Sequence, residues 1–372
     1  MPRRSIFNHI RLAKAIISYV DIVEEDGAII ALDQEKAYNR IHHHYLWMVL
    51  ETFHIPVPFI RTVKALYSFV YTCVTINGIL SEPFWVTRGV RQGDPLSCLL
   101  FDLAIKPLAC LIRNNPHIQG INIPGLVEKL VIKLFADDTN LYLSKYDCLD
   151  VIQQILDMWC EVSGAKFNIE KMEVISIGSM NYRQTVTTER KINSQDQVPL
   201  PNQIRITKDG EAVRMLGAWI GNRAKDQAPW EPMINKIKMN LEKWNKIRPS
   251  IDRKCQIIQV IVGGFTQFLT QVQGMLTHVE SVLKKIVNDF IWDNGRGACI
   301  TQEFLHQPKE AGGLGLLDIK TWNEVIDLMW LKTYLNFLPI HQPWAEITDL
   351  IISRSAQENA IWKAINSPFL QC

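Results

Sequence analysis

Between Lys129 and Leu143 the sequence KLVIKLFADDTNLYL runs apolar, breaks at Ala136-Asp137-Asp138 and turns apolar again. Both arms alternate with a period of two and carry β-branched residues, which predicts a hairpin with the two aspartates at its tip. Adjacent carboxylates on a tight turn repel each other and invite a cation. Oxygen-only donors favour a hard ion such as magnesium or manganese over zinc. The same pair also suits an ordinary solvated turn, because aspartate is a common turn residue. A third carboxylate brought to the same place decides between the readings.

The 372 residues are 47% hydrophobic, enough for sizeable cores and against disorder. Lysine and arginine total 40 against 38 acidic residues, so any nucleic-acid surface has to be a local patch. The eight cysteines are scattered without a CxxC or cysteine-histidine cluster, which argues against a disulfide-linked partner and against a zinc site. Met1–Ser5 is basic but no apolar signal core follows, and no run is expected to reach the length of a membrane span. An intracellular, reducing compartment without a membrane partner is expected.

Ile6–Val23 carries apolar residues at helical spacing. Gly27–Leu32, GAIIAL, is a continuous apolar run of strand length, expected to be buried on both faces, and it ends in Asp33. That acid either caps the next element or stands at an active-site edge. Helices are expected over Asn39–Phe53 and Pro58–Phe69, and a hairpin around Asn77-Gly78. His42, His43 and His44 are consecutive, face different directions on a helix and read as residues near the surface or behind a site, not as ligands. Arg88–Ser97 is a glycine-punctuated loop from which Pro95 opens a helix to about Arg113; it suits an anion or serves as a connector. A helix over Leu149–Val162 and a strand around Met172–Ile177 come next, then a polar, mobile loop over Met180–Asn202 and a hairpin over Ile204–Gly221 turned at Asp209-Gly210.

From about Pro229 the pattern becomes helical, over Trp230–Ile247, Arg253–Gly274 and Val279–Trp292. Lys236, Lys238, Lys243, Lys246, Arg248, Arg253 and Lys254, interleaved with Trp244, form a basic run suited to a nucleic-acid backbone or to a solvated helix face. Gly312–Leu316, GGLGL, lacks the spacing of a phosphate loop and reads as a structural turn. Short helices are expected between Thr321 and Ser367, with Trp322, Trp330, Trp344 and Trp362 in the core.

Taken in order, ALDQEKAYNRI, TCVTINGIL, RGVRQGDPLS, FADD, SGAKFNIEKMEVI and MLGAWIG resemble the palm motifs of reverse transcriptases from non-LTR, LINE-like retrotransposons. The segment from EKWNKIRPSIDRK through DFIW to GGLGL resembles the helical thumb of that family and the helices after it. The resemblance implies an α+β fold: a right-hand polymerase palm, an antiparallel sheet flanked by helices, followed by an all-α thumb and a C-terminal helical segment. It implies a remnant of the fingers with a connecting helix over 1–26, a palm over 27–222 with a polar insertion at about 180–202, a thumb over 223–295 and the C-terminal segment over 296–372.

The implied activity is RNA-directed DNA polymerisation, in which two magnesium ions, with manganese a possible substitute, assist transfer of a dNTP to a primer 3′-hydroxyl. By resemblance Asp33, Asp137 and Asp138 are catalytic metal ligands, and Lys171 is a proton donor to pyrophosphate. Tyr38 matches the aromatic gate against the ribose 2′-hydroxyl, Gln92 and Gly93 the contact with incoming nucleotide and template, and Phe135 the residue beneath the primer terminus. Arg4 matches the arginine of a fingers motif whose glycine is Arg3 here, and Asn39 stands where the family has an aspartate. The chain is expected to begin inside the fingers, so the alternative is a remnant that binds nucleic acid without catalysis. RNA template, DNA primer and dNTPs are the implied partners, and the nucleus the implied location.

Overall fold

The computed structural model describes residues 5–126, 128–224, 229–293, 300–336 and 341–358. The chain forms two compact units, Val20–Lys208, and Met1–Tyr19 together with Asp209–Cys372. This division falls earlier than residue 222, because the strands after Asp209 keep company with helices and not with the sheet.

Helix α1 (Ile6–Val23) buries Ile10, Ala13, Ile16 and Val20, as its spacing predicts. In the first unit β1 (Gly27–Leu32) is the middle strand, which is why GAIIAL has no polar side. The helix expected over Asn39–Phe53 is broken into α2 (Ala37–Arg40) and α3 (His43–Thr52). Ile41 turns extended between them, and the His42 amide donates to the Ser163 carbonyl at 2.8 Å instead of to its own helix. Next come α4 (Val57–Ser68) and two short ribbons, β2 (Tyr71–Thr72) with β5 (Phe84–Trp85), and β3 (Thr75–Ile76) with β4 (Ile79–Leu80). Asn77 and Gly78 turn the inner ribbon, both at positive φ, which is the demand of a tight hairpin of this kind.

Helix α5 (Pro95–Asn114) starts with Pro95, is capped by Asp94, which accepts from the Leu96 amide at 2.9 Å, and buries Leu100, Phe101, Ala104, Ile105 and Leu108. The aspartate hairpin consists of β6 (Ile132–Phe135) and β7 (Asp138–Ser144), and α6 (Leu149–Ser163) ends on left-handed Gly164. With β8 (Glu173–Ile177) and β9 (Arg205–Thr207) the sheet order is β6-β7-β1-β8-β9, antiparallel except between β8 and β9.

The structure departs from the sequence pattern at three places. The polar stretch after Met180 begins as helix α7 (Met180–Glu189), capped by Ser179, and its remainder is tied down where the Arg190 guanidinium donates to the carbonyls of Leu200, Pro201 and Ile204. The strand at Arg205 does not fold back on the next strand but joins the sheet edge in parallel. And two helical stretches, Pro95–Asn114 and Ile251–Gln273, are long and apolar enough to cross a membrane by length and composition; α5 spends its apolar face on the core of this unit.

In the second unit β10 (Val213–Met215) and β11 (Ala218–Ile220) turn at Leu216-Gly217, both at positive φ, and not at Asp209-Gly210. The Trp219 carbonyl accepts from Gln273 at 3.1 Å, which binds this hairpin to the helices. Helix α8 (Trp230–Asn245) is next, then α9 (Ile251–Ile258), continuous through a wide turn at Gln259–Gly263 with α10 (Gly264–Gln273), and α11 (Thr277–Ile291). After α12 (Gln302–His306), the glycine-rich segment is a structural turn in which the amides of Leu314 and Leu316 both donate to the Leu305 carbonyl. The end of the described chain is α13 (Ile319–Tyr334) and α14 (Pro343–Glu358), longer than the short helices expected. Trp344 is buried, Trp322 and Trp330 are half-buried, and Trp362 lies outside the described residues.

Candidate active site

The site is built at one end of β1 and β7. Their register sets Leu32 opposite Thr139, so the next residue out on each strand is Asp33 on one and Asp138 on the other. Gln34 reinforces this edge by donating from Nε2 to Thr139 Oγ1 at 3.3 Å. Asp137 belongs to the two-residue turn with Ala136, whose φ of +51° is left-handed and costs an L-residue roughly 1–2 kcal/mol. The hairpin accepts that cost while presenting consecutive carboxylates. Asp138 stays solvent-accessible, yet partial burial, then the charges of Asp137 and Asp33, push its carboxyl up to about 6. Carboxylates this close raise one another's pKa, in addition to the effect of burial. Oxygen donors in such a group fit a hard divalent cation.

Lys171 comes to the same place by a local device. Asn168 donates its amide to the Asp33 carbonyl at 2.8 Å and accepts with Oδ1 from Glu170, opening a single turn, Ile169–Lys171. The Lys171 ammonium then stands 3.5 Å from Asp33 Oδ2. Neither Asn168 nor Gln34 is among the residues that sequence reasoning selects, although an Asx turn two residues before Glu170 is a visible signal.

Tyr38 lies flat on Phe101, with ring centroids 4.8 Å apart. Burial first, then a hydrogen bond with Cys98 and the charges of Cys98, Asp137 and Asp102, push its phenol up to about 12. It is therefore a neutral, fixed ring beside the carboxylates. Behind it, the loop of Gln92 and Gly93 is anchored by its first residues. Gly89 donates to Ile41 O at 2.7 Å, Val90 to Tyr38 O at 2.6 Å, and His43 Nε2 meets Gly89 O at 2.8 Å. Gln92 and Gly93 themselves are exposed, and Phe135 ends β6, half-buried. Arg4 lies outside the described residues.

A second acidic group, Cys148, Asp150 and Asp196, has ligand atoms within 4.8 Å of one another. Asp196 is already spent: its oxygens accept from the amides of Leu149 and Asn193 and so cap the start of α6 from a distance. In the helical unit Lys236, Lys238, Lys243, Lys246, Arg248 and Arg253 are exposed, with Lys236 over the Phe265 ring at 4.5 Å. Lys254 is not part of that surface. It is 4% exposed, and its ammonium donates to Ile291 O at 3.2 Å and Asp293 Oδ1 at 2.6 Å. The six described cysteines are free.

The family model described as reverse transcriptase (RNA-dependent DNA polymerase) matches residues 2–220. The transposon TX1 uncharacterized 149 kDa protein of Xenopus laevis is 25% identical over 349 residues, 92% of this chain and 25% of that protein. The Pol polyprotein of the type-2 retrotransposable element R2DM of Drosophila melanogaster is 30% identical over 334 residues, 88% of this chain and 30% of that protein. This chain thus spans between 25% and 30% of the length of these relatives. Among solved structures, telomerase from Candida tropicalis aligns with 14% identity and a TM-score of 0.32, over 78% of this chain and 51% of that one. The chain belongs to the reverse transcriptase (RNA-dependent DNA polymerase) family, among the non-LTR retrotransposon members.

Proposed function

We propose that this chain is the polymerising core of an RNA-directed DNA polymerase, which extends a DNA primer with dNTPs along an RNA template. The observation that carries the reading is the convergence of Asp33 and Asp138 across the β1–β7 register with Asp137 beside them, three carboxylates at one end of the sheet. An intact group of this kind favours the enzyme over a remnant that only binds nucleic acid.

Asp33, Asp137 and Asp138 would hold the magnesium ions, with manganese able to replace them. When bound, the ions lower the cost of the attacking 3′-oxygen and of the departing pyrophosphate. The chain's own residues do the rest. Tyr38, held against Phe101, excludes a ribose 2′-hydroxyl by occupying its space. Gln92 and Gly93, on a loop anchored to Tyr38 and Ile41, meet the incoming nucleotide and template. Phe135 supports the primer terminus, and Lys171 supplies a proton to the leaving pyrophosphate. The exposed cations of α8 and its flank, Lys236 to Arg253, neutralise the nucleic-acid backbone.

Primer extension on poly(rA)/oligo(dT) with magnesium tests the proposal, with Asp137→Ala and Asp138→Ala as the control. Extension by the wild-type chain and none by the control is expected. Equal behaviour of the two would end the reading.

A further inference from the structure

Within the helical unit, one face each of α1, α10 and α13 lines a half-open cavity of about 640 Å³, a size ordinary for a ligand pocket. Its chemistry is unusual for a unit with so many surface cations. The described lining offers five carboxamides and three aromatic rings and carries no ionisable side chain. Gln267 and Gln271 stand one turn apart on α10, so their amides share a face. Asn8 Nδ2 donates to Gln342 Oε1 at 3.4 Å on the α1 side, which leaves each of those amides further donors and acceptors.

The aromatic part is preorganised. Trp330 has the Arg11 guanidinium 3.7 Å from its ring centroid and meets Phe7 and Trp344 edge-on at 6.5 and 5.6 Å. A ring fixed on several sides loses little entropy when something stacks nearby. Trp322, Met329 and Thr333 continue the same face of α13.

We infer that this cavity is a docking site for a neutral, planar nucleobase. The described lining offers a charged ligand no counter-ion, and a purely apolar ligand would cover the Gln267 and Gln271 amides without pairing them. A base satisfies both halves: its edge pairs with a carboxamide, which presents one donor and one acceptor side by side, and its face stacks on indole. The cations of α8 in the same unit favour a base carried by a single strand, although a free nucleoside has the same chemistry. The site lies in a different unit from the carboxylates and does not rest on the polymerase reading.

The test uses the full chain without dNTPs and single-stranded RNA carrying 4-thiouridine and 8-azidoadenosine. After irradiation, adducts are mapped to peptides, and affinity is followed by anisotropy across a salt series. Adducts on Trp322–Thr333 or Gln267–Gln271 are expected. Met329→Trp, which fills the cavity, and Gln271→Leu, which removes an amide, should each weaken binding about tenfold with the salt slope unchanged, since neither alters a charge. If adenosine or uridine displaces the RNA, free nucleosides share the site; if adducts form there without displacement, the strand-borne base is the ligand. Adducts confined to other surfaces, or variants that bind like the wild type, overturn the inference. Mapping needs no variant, so a substitution that fails to fold does not remove the test. Primer extension is not read, so its failure leaves this result standing.

Discussion

Lys171 Nζ stands 3.5 Å from Asp33 Oδ2, a pairing of two largely exposed side chains. An ion pair so open to water is worth less than about 1 kcal/mol and is easily exchanged. The lysine can therefore leave Asp33 to a metal ion and turn to the pyrophosphate. Lys171→Met should leave stability within about 0.5 kcal/mol and slow single-turnover nucleotide addition about a hundredfold, the size of a lost general acid. Manganese binding, followed by electron paramagnetic resonance, should tighten because a competing cation is gone. An unchanged rate would remove the proton-donor role.

Asp138 carries a pH prediction. Its folded pKa is raised from 3.8 to about 6, so between those values the folded chain holds a proton that the unfolded chain has released. Stability without metal should accordingly fall as pH rises from 4 through 6, by about 1 kcal/mol once solvent screening is allowed for. Magnesium reverses the sign of the trend, because it binds the ionised group. Melting in chelator and in magnesium at pH 4 and pH 7 checks both statements, and Asp138→Asn should flatten the metal-free slope.

Tyr38 owes its position to Phe101 beneath it and to its hydrogen bond with Cys98. Tyr38→Ala should admit ribonucleotides at least tenfold more readily, while Cys98→Ala frees the phenol without removing the ring and should produce a smaller loss of selectivity. Ratios of kcat/KM for dNTP and rNTP measure this. If Cys98→Ala relaxes selection as much as Tyr38→Ala, the bulk of the ring is not what excludes the 2′-hydroxyl.

Much of this arrangement is legible in residue patterns, and the failures have physical reasons. The bounds of α1 and β1 come from apolar spacing, which is local. The break at Ile41-His42 is not local, since the amide of His42 finds its partner at Ser163. Helix α7 is hidden by its threonines and glutamine; what secures it is Arg183, buried and donating to Gly178 O and Asp21. The alternation at Arg205–Thr207 indicates a strand but not which neighbour it pairs with. The proximity of Asp33 to Asp138 is expected from the order of motifs and not from spacing. The register of β1 on β7 supplies the geometry that motif order cannot.

Gly89 links the gate to the nucleotide loop. It sits at φ +85°, and a Cβ there would come within 2.8 Å of the Tyr38 carbonyl oxygen and of Asn39 Cα. Backbone at that distance cannot yield as a flexible side chain would. Gly89→Ala should destabilise the chain by about 2 kcal/mol or more, and the surviving folded fraction should show a raised KM for dNTP, because Gln92 and Gly93 are displaced. Gly93→Ala, at a position with open space around it, tests conformation alone and should cost less. Denaturant midpoints compare them.

Two lysines of one basic run stand in opposite surroundings. Lys246 is exposed at the end of α8, whereas Lys254 is buried in α9 with its ammonium on Ile291 O and Asp293. Lys246→Ala should leave melting nearly unchanged and lower the slope of log affinity against log salt by about one phosphate contact. Lys254→Ala should cost roughly 2 kcal/mol by leaving Asp293 and the carbonyl of Ile291 without their donor. Its salt slope should stay that of the wild type, because a buried ammonium releases no counter-ions. Should Lys254→Ala flatten the slope while the melting point holds, the lysine reaches nucleic acid by leaving its pocket, and the exposed surface inferred for α8 would have to be extended to α9.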